Sequence, residues 1–203
     1  MENITTPLGG IIVIDKVEKD FGMISSVFGG VLSAEDIGRV KVLLNNKMTY
    51  ATSVRQIPNI MSSEACALLG ATSVSERSLG RAVVKVGRAA QIIIERYQDL
   101  IKKKNMVDKN QNIDWSSSYF EGRKAEIAEY GYSRDHRPDK KQITWGISTG
   151  INGVPSALTI QNGNVQDKKH FNETYGLASR IGEICALFTR CSCSRKISGA
   201  FLA

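Results

Sequence analysis

The sequence predicts an α plus α/β protein: a helical module over residues 1–110, a mixed sheet with a covering helix over 111–188, and a divergent tail over 189–203. Three observations predict it. Apolar residues recur at helical spacing as far as the lysine run at 102–104. After Asn110 the pattern turns to alternation, as in Ile143, Trp145 and Ile147 set against Thr144 and Ser148. An Asn152-Gly153 pair then separates two alternating runs, a strong short-range signal for a hairpin.

Taken in order, Ile11, Ile14, Val17 and Phe21 mark a short amphipathic helix from Ile11 to about Phe21. Gly29-Gly30 interrupts the pattern. Ser33 with Asp36 three residues later makes a capping start, and Ile37, Val40, Leu43 and Leu44 give a second apolar face. Pro58 punctuates, and Ser63 to Leu69 forms a short helix that stops at Gly70. Ser75 caps a longer pattern with Leu79, Val83, Val86 and Ala90 on one face and Arg77, Arg81, Lys85 and Arg88 on the other sides. Gly87 weakens its continuity. Ile93, Tyr97, Leu100 and Ile101 carry the periodicity on to Lys102-Lys103-Lys104-Asn105, where cations meet the negative end of the helix dipole.

Beyond Asn110, Asn112 to Phe120, Gln142 to Ser148 and Ser156 to Gln161 read as strands, the last two joined by a tight turn in which Asn152 and Gly153 both take positive φ. From Lys168 a helix places Phe171, Tyr175, Ala178 and Ile181 on one stripe, and Ala186-Leu187-Phe188 is a further short apolar run. The order is strand, strand, strand, helix, strand. Between Ile184 and Ala203 there is no Asp or Glu, while three of the four cysteines fall there.

In 203 residues, 42% hydrophobic content suffices for a packed core and excludes disorder throughout. A net charge of +7 fits a polyanionic partner or simply a solvated basic surface. No apolar run approaches the roughly 20 residues needed to span a bilayer, and the first ten residues lack the basic and apolar regions of a secretory leader, so a cytoplasmic chain is expected. Cysteine spacing is not that of a secreted disulfide framework, and Cys191-Ser192-Cys193 lacks the second pair or histidine of a zinc site.

Asp114 carries the first candidate chemistry. An acid inside the β-like stretch Asn112-Ile113-Asp114-Trp115-Ser116-Ser117-Ser118-Tyr119-Phe120-Glu121-Gly122 must face solvent or hold a cation. That stretch resembles the first catalytic strand of DDE transposases of the insertion-sequence-four group, in which an Asp is followed by a Tyr-Phe-Glu-Gly type of sequence. The segment from Gly131 through Ser133, Arg134, Asp135, Arg137, Pro138 and Asp139 to Gln142 resembles the Gly-x-Ser-Arg-Asp-x-Arg-Pro-Asp-x-x-Gln signature of that family. Gly163-Asn164-Val165-Gln166-Asp167 resembles its Gly-Asn-x-x-Asp stretch, and the region from Leu69 to Val86 is similar to the helical module before the core. The resemblance covers roughly 8–181.

The resemblance implies a ribonuclease H-like core, here an incomplete one, in which three carboxylates hold two Mg²⁺ ions for DNA cleavage and strand transfer, with Asp114 as the first catalytic and metal-binding ligand. The second Asp of the pattern falls near Thr189-Arg190-Cys191, where no acid stands, and the third lies further on. The chain is therefore expected to be a truncated, catalytically incompetent transposase fragment; alternatively it is a DNA-binding regulator that competes with full-length transposase. Expected partners are insertion-sequence ends and target DNA, a further copy or full-length transposase, and no membrane. Expected DNA contacts are Arg77, Arg81, Lys85, Arg88, Lys102, Lys103, Lys104, Arg134 and Arg137. His136 and His170 read as loop and helix-surface residues rather than metal ligands.

Overall fold

Glycine and serine positions set the chain's punctuation, and the helices between them bury narrow apolar stripes. The computed structural model describes residues 7–120, 126–131 and 137–188. The chain divides into two compact units, Met1–Leu100 and Ile101–Ala203.

In the first unit, α1 (Gly9–Phe21) ends at Gly22, whose φ of 61° places it in the left-handed region that suits a residue without a Cβ. α2 (Met23–Phe28) follows directly, with the Glu18 carboxylate accepting from the Ile24 N–H at 2.7 Å. α3 (Ala34–Thr49) begins at Ser33, whose hydroxyl oxygen accepts from the Asp36 N–H and donates to the Asp36 carboxylate at 2.7 Å. α4 (Ile57–Ile60) and α5 (Ser63–Leu68) are short. α6 (Glu76–Arg88) opens with a reciprocal capping pair between Ser75 and Ser78. α7 (Ala90–Lys103) runs across the boundary and closes on Asn105 at φ 53°, with the Met106 N–H donating to the Ile101 carbonyl.

Ile11, Ile14, Ile24, Val42, Ile57, Met61, Cys66, Leu69 and Leu79 form the core of this unit. α3 packs against α1, α5 and α6. Glycines permit the closest approaches: a Cβ on Gly38 would overlap the Gly70 carbonyl, and one on Gly10 would overlap Asn45 and Thr49.

The second unit is a four-stranded sheet in the order β3-β2-β1-β4. β1 (Asn110–Tyr119), β2 (Gln142–Gly150) and β3 (Pro155–Asn162) are antiparallel neighbours, and β4 (Cys185–Phe188) runs parallel to β1. α8 (Asp167–Ala178), followed by a single 3-10 turn, crosses from β3 to β4 and packs on β1, β2 and β3. Residues alternate between faces along each strand, so Gln111, Ile113, Trp115 and Ser117 of β1 are buried while Asp114 and Ser118 are exposed. The layer under α8 is unusually polar. The Gln111 side-chain oxygen accepts from the Ser148 and Ser156 hydroxyls at 3.0 and 2.7 Å, which satisfies groups that would otherwise be costly to bury.

Four sequence expectations are corrected. The 75–104 helical pattern is two helices, because Ala89 (φ −98°, ψ 10°) leaves helical geometry between Arg88 and Ala90. Val83 and Leu44, expected on apolar faces, are exposed: α6 turns only Ser78, Leu79 and Ala82 inward, and α3 buries Asp36, Asn45 and Asn46 as well as Val40 and Val42. The hairpin between β2 and β3 has positive φ at Gly153 alone, where Asn152 was also expected to have it. The longer loop from Ile151 to Val154 lets the Asn152 side chain accept from the Val154 N–H, so one left-handed residue suffices. His170, expected on the surface of its helix, is 1% exposed, because α8 turns it toward the sheet and Nε2 lies 2.9 Å from the Thr159 hydroxyl.

Candidate functional site

The basic residues of α6 fall into two groups. The turn from Leu69 to Ser75 leads into the helix, and Glu35 at the start of α3 holds it: the carboxylate accepts from the Thr72 and Ser73 N–H groups and the Thr72 hydroxyl, at 2.9–3.2 Å. These bonds, from Thr72 first and then Ser73, hold the Glu35 carboxyl below its ordinary range. Beside it in sequence, Asp36 is almost fully buried. It accepts from the Lys85 ammonium of α6, from the Ser33 hydroxyl and from the Arg39 guanidinium, and these partners bring its carboxyl down to about 2.

Lys85 is therefore committed to the α3–α6 junction, although its side chain stays half exposed. Arg77, Arg81 and Arg88 are exposed and make no ion pair among the described residues. α6 carries no acid after Glu76, and the next acid in the chain is Glu95. Lys102, Lys103 and Lys104 are exposed at the end of α7. Arg137 in the second unit is held by Asp139 through two 2.9 Å hydrogen bonds and lies over the Tyr119 ring. Arg134 lies outside the described residues, as do Glu121, Asp135 and His136.

Asp114 sits in the middle of β1, opposite Ile147 of β2, on the face turned away from α8. Its carboxylate is exposed and accepts from the Trp115 N–H at 2.9 Å. Around it on that face lie Asn112, Ser116 and Ser118, with Trp145, Ile147, Leu158 and Ile160 across the neighbouring strands. The β1–β4 ladder ends at Ile113 with Phe188, one residue short of Asp114. A carboxylate offered to Asp114 from that strand would have to follow Phe188 directly, and Thr189-Arg190-Cys191 contains none. Among the described residues no group of three His, Cys, Asp or Glu side chains is arranged to hold a metal ion. The described residues around Asp114 do not make a two-metal centre, and no chemical step follows from Asp114 alone.

Three motif positions that composition and periodicity left unexplained meet at one edge of the sheet. Glu129 bridges to Gln142 through two backbone hydrogen bonds of 2.9 and 3.0 Å, and the Gln142 side chain donates to the Gly163 carbonyl at 3.2 Å. A Cβ on Gly163 would overlap the carbonyls of Gln142 and Glu129, and one on Gly131 would overlap the Gly163 carbonyl. Gly131, Gln142 and Gly163 thus have a packing role, and the fixed glycines in two separate motifs were the only sign of it in the sequence.

No family profile, curated protein or solved structure matches this chain. No helix among the described residues is long and apolar enough to cross a membrane.

Proposed function

We propose that this chain is a DNA-binding protein of the insertion-sequence transposase type, whose helical unit grips DNA and whose sheet unit is a ribonuclease H-like core with Asp114 as the first of three metal-binding carboxylates. The observation that carries the reading is the place of Asp114. Three antiparallel strands, a crossover helix and a fourth strand parallel to the first are the order that such a core requires, and Asp114 lies on the central β1, on the face away from the helix and beside the end of β4. Arg77, Arg81 and Arg88 supply cations free to neutralise phosphates.

In this reading Mg²⁺ would be the cofactor of a complete site. Among the described residues Asp114 is the one carboxylate at that place, and a single carboxylate cannot hold two divalent ions beside one phosphate, so residues 1–203 alone are expected to bind DNA without cutting or joining it. A protein of this kind acts as a regulator by occupying DNA ends in competition with a full-length enzyme, a reading favoured by the exposed arginines of α6 and by Asp114 having no further carboxylate beside it among the described residues. The test is paired. Duplex binding measured across salt concentrations should show affinity falling steeply with salt, and a strand-transfer assay with Mg²⁺ or Mn²⁺ should give no products. Metal-dependent products that vanish in Asp114→Asn would refute the non-catalytic part, and binding indifferent to salt would refute the DNA-binding part.

A further inference from the structure

We propose that Asn152, in the loop between β2 and β3, is a site of spontaneous deamidation in the folded chain, and that its conversion to an acid loosens this loop from the segment before β1. The proposal stands apart from the DNA-binding reading.

Two Asn-Gly steps occur in the sequence, Asn152-Gly153 and Asn162-Gly163. Before a glycine, an asparagine side-chain carbonyl carbon is open to attack by the glycine amide nitrogen, because no Cβ hinders the approach. The new N–C bond closes a succinimide ring. The side-chain amide leaves as ammonia and takes the proton that the glycine nitrogen gives up. Water then opens the ring at either carbonyl and leaves aspartate or isoaspartate, with one new negative charge. Local sequence favours the two steps alike, so the fold decides between them.

Ring closure requires the glycine nitrogen to swing onto the asparagine side chain. Gly163 is buried, a Cβ there would overlap the Gln142 and Glu129 carbonyls, and its own carbonyl accepts from the Gln142 side chain at 3.2 Å. The Asn162 carbonyl accepts from the Thr144 hydroxyl at 3.3 Å and the Val165 N–H at 3.1 Å, so that peptide is held on both sides. Gly153 is exposed at φ 82°, and a Cβ there would meet nothing within 4 Å. Three hydrogen bonds restrain its surroundings. The Gly153 N–H donates to the Gly150 carbonyl at 2.9 Å, the Val154 N–H donates to Asn152 Oδ1 at 3.0 Å, and Asn152 Nδ2 donates to the Met106 carbonyl at 2.8 Å. Asn152 and Gly153 are exposed, so a local opening of the loop releases these bonds while the sheet stays folded.

Conversion changes what the side chain can do. An acid at 152 has no amide donor for the Met106 carbonyl and sets a carboxylate against that oxygen. Asn152 Oδ1 and the Asp108 Cβ both lie within 2.8 Å of the point where a Cβ on Gly150 would stand, so the new charge also arises close to Asp108.

The experiment incubates the full chain at mildly alkaline pH in native buffer and in urea, with peptide mapping by mass spectrometry at both sites. In urea the two asparagines should convert at similar rates. In native buffer Asn152 should convert at least about tenfold faster than Asn162, yet more slowly than it does in urea. Native conversion at Asn162 as fast as at Asn152, or at neither site, overturns the assignment. A rate at Asn152 equal in both buffers overturns the restraint by the loop bonds. The consequence is read by urea unfolding of Asn152→Asp and Asn152→Ser, followed by tryptophan fluorescence. Asn152→Asp should raise the unfolded fraction about tenfold at neutral pH, more than Asn152→Ser, and the gap between the two should close below about pH 4. An Asn152→Asp chain as stable as the wild type overturns the loosening.

Discussion

Asp36→Asn is the substitution that probes how α6 is held to α3. The carboxylate is 2% exposed and has three side-chain partners, Lys85, Ser33 and Arg39. Its pKa is lowered from 3.8 to about 2, by Lys85 first and Ser33 next, against the opposing effect of burial. Holding a carboxylate that far below its ordinary value corresponds to about 2 kcal/mol of charge-dependent stability. Because the Lys85 side chain is 53% exposed, solvent screening reduces this, and about 1–2 kcal/mol is the expected loss of stability at neutral pH. A depressed carboxylate pKa stabilises the folded state fully above the unfolded value of 3.8, and that contribution is lost as pH falls through the folded value of about 2. The gap between wild type and Asp36→Asn should therefore be constant above about pH 5 and shrink as the pH falls toward 2.

Urea unfolding followed in two signals isolates the effect. Both tryptophans, Trp115 and Trp145, lie in the sheet unit, whereas most of the helix lies in the first unit, so ellipticity at 222 nm should show the loss and tryptophan fluorescence should not. A deficit that persists undiminished near pH 2 would trace the effect to packing rather than charge. No deficit at neutral pH would show that the junction contributes nothing.

Further outcomes can be checked alongside it. Fragment 1–110 should give a helical far-ultraviolet spectrum and a cooperative thermal transition by itself, since its core is made of its own residues; a disordered or strand-rich spectrum would end the division into two units. Charge reversal at Arg77 and Arg81 should weaken duplex binding and flatten its salt dependence by about 0.9 in log–log slope for each phosphate no longer neutralised, and unchanged binding would reduce α6 to a solvated face. Gly163→Ala should destabilise the sheet unit by about 1–3 kcal/mol, read from tryptophan fluorescence in urea, because the new methyl meets backbone carbonyls that cannot move aside; a neutral effect would mean that the edge at Gln142 is loosely held.

The local patterns carried much of the fold. Ser33 and Ser75 cap where their side chains predict, and α7 closes at Asn105 after the lysines, because helix ends depend on neighbours in sequence. Alternation placed β1, β2 and β3 to within two residues at each end, because the period of two belongs to the strand itself. Asp114 was visible as an acid inside a β-like stretch, and the strand places it on the opposite face from Ile113 and Trp115.

Tertiary structure decided the rest. Nothing local announced that Asp36 is buried, because its partner Lys85 is forty-nine residues away on another helix. The sequence showed four basic residues on one helix as equivalent, and packing against α3 separated Lys85 from Arg77, Arg81 and Arg88. His170 reads as a surface residue in a polar stretch, and is buried because α8 turns it toward β3, where the Thr159 hydroxyl meets its ring nitrogen. Gly131, Gln142 and Gly163 are separated in sequence by 11 and 21 residues, and only the folding of β2 against its neighbours brings their backbones into contact. Periodicity reports which way a side chain points on its own element, whereas long-range packing determines what it meets there.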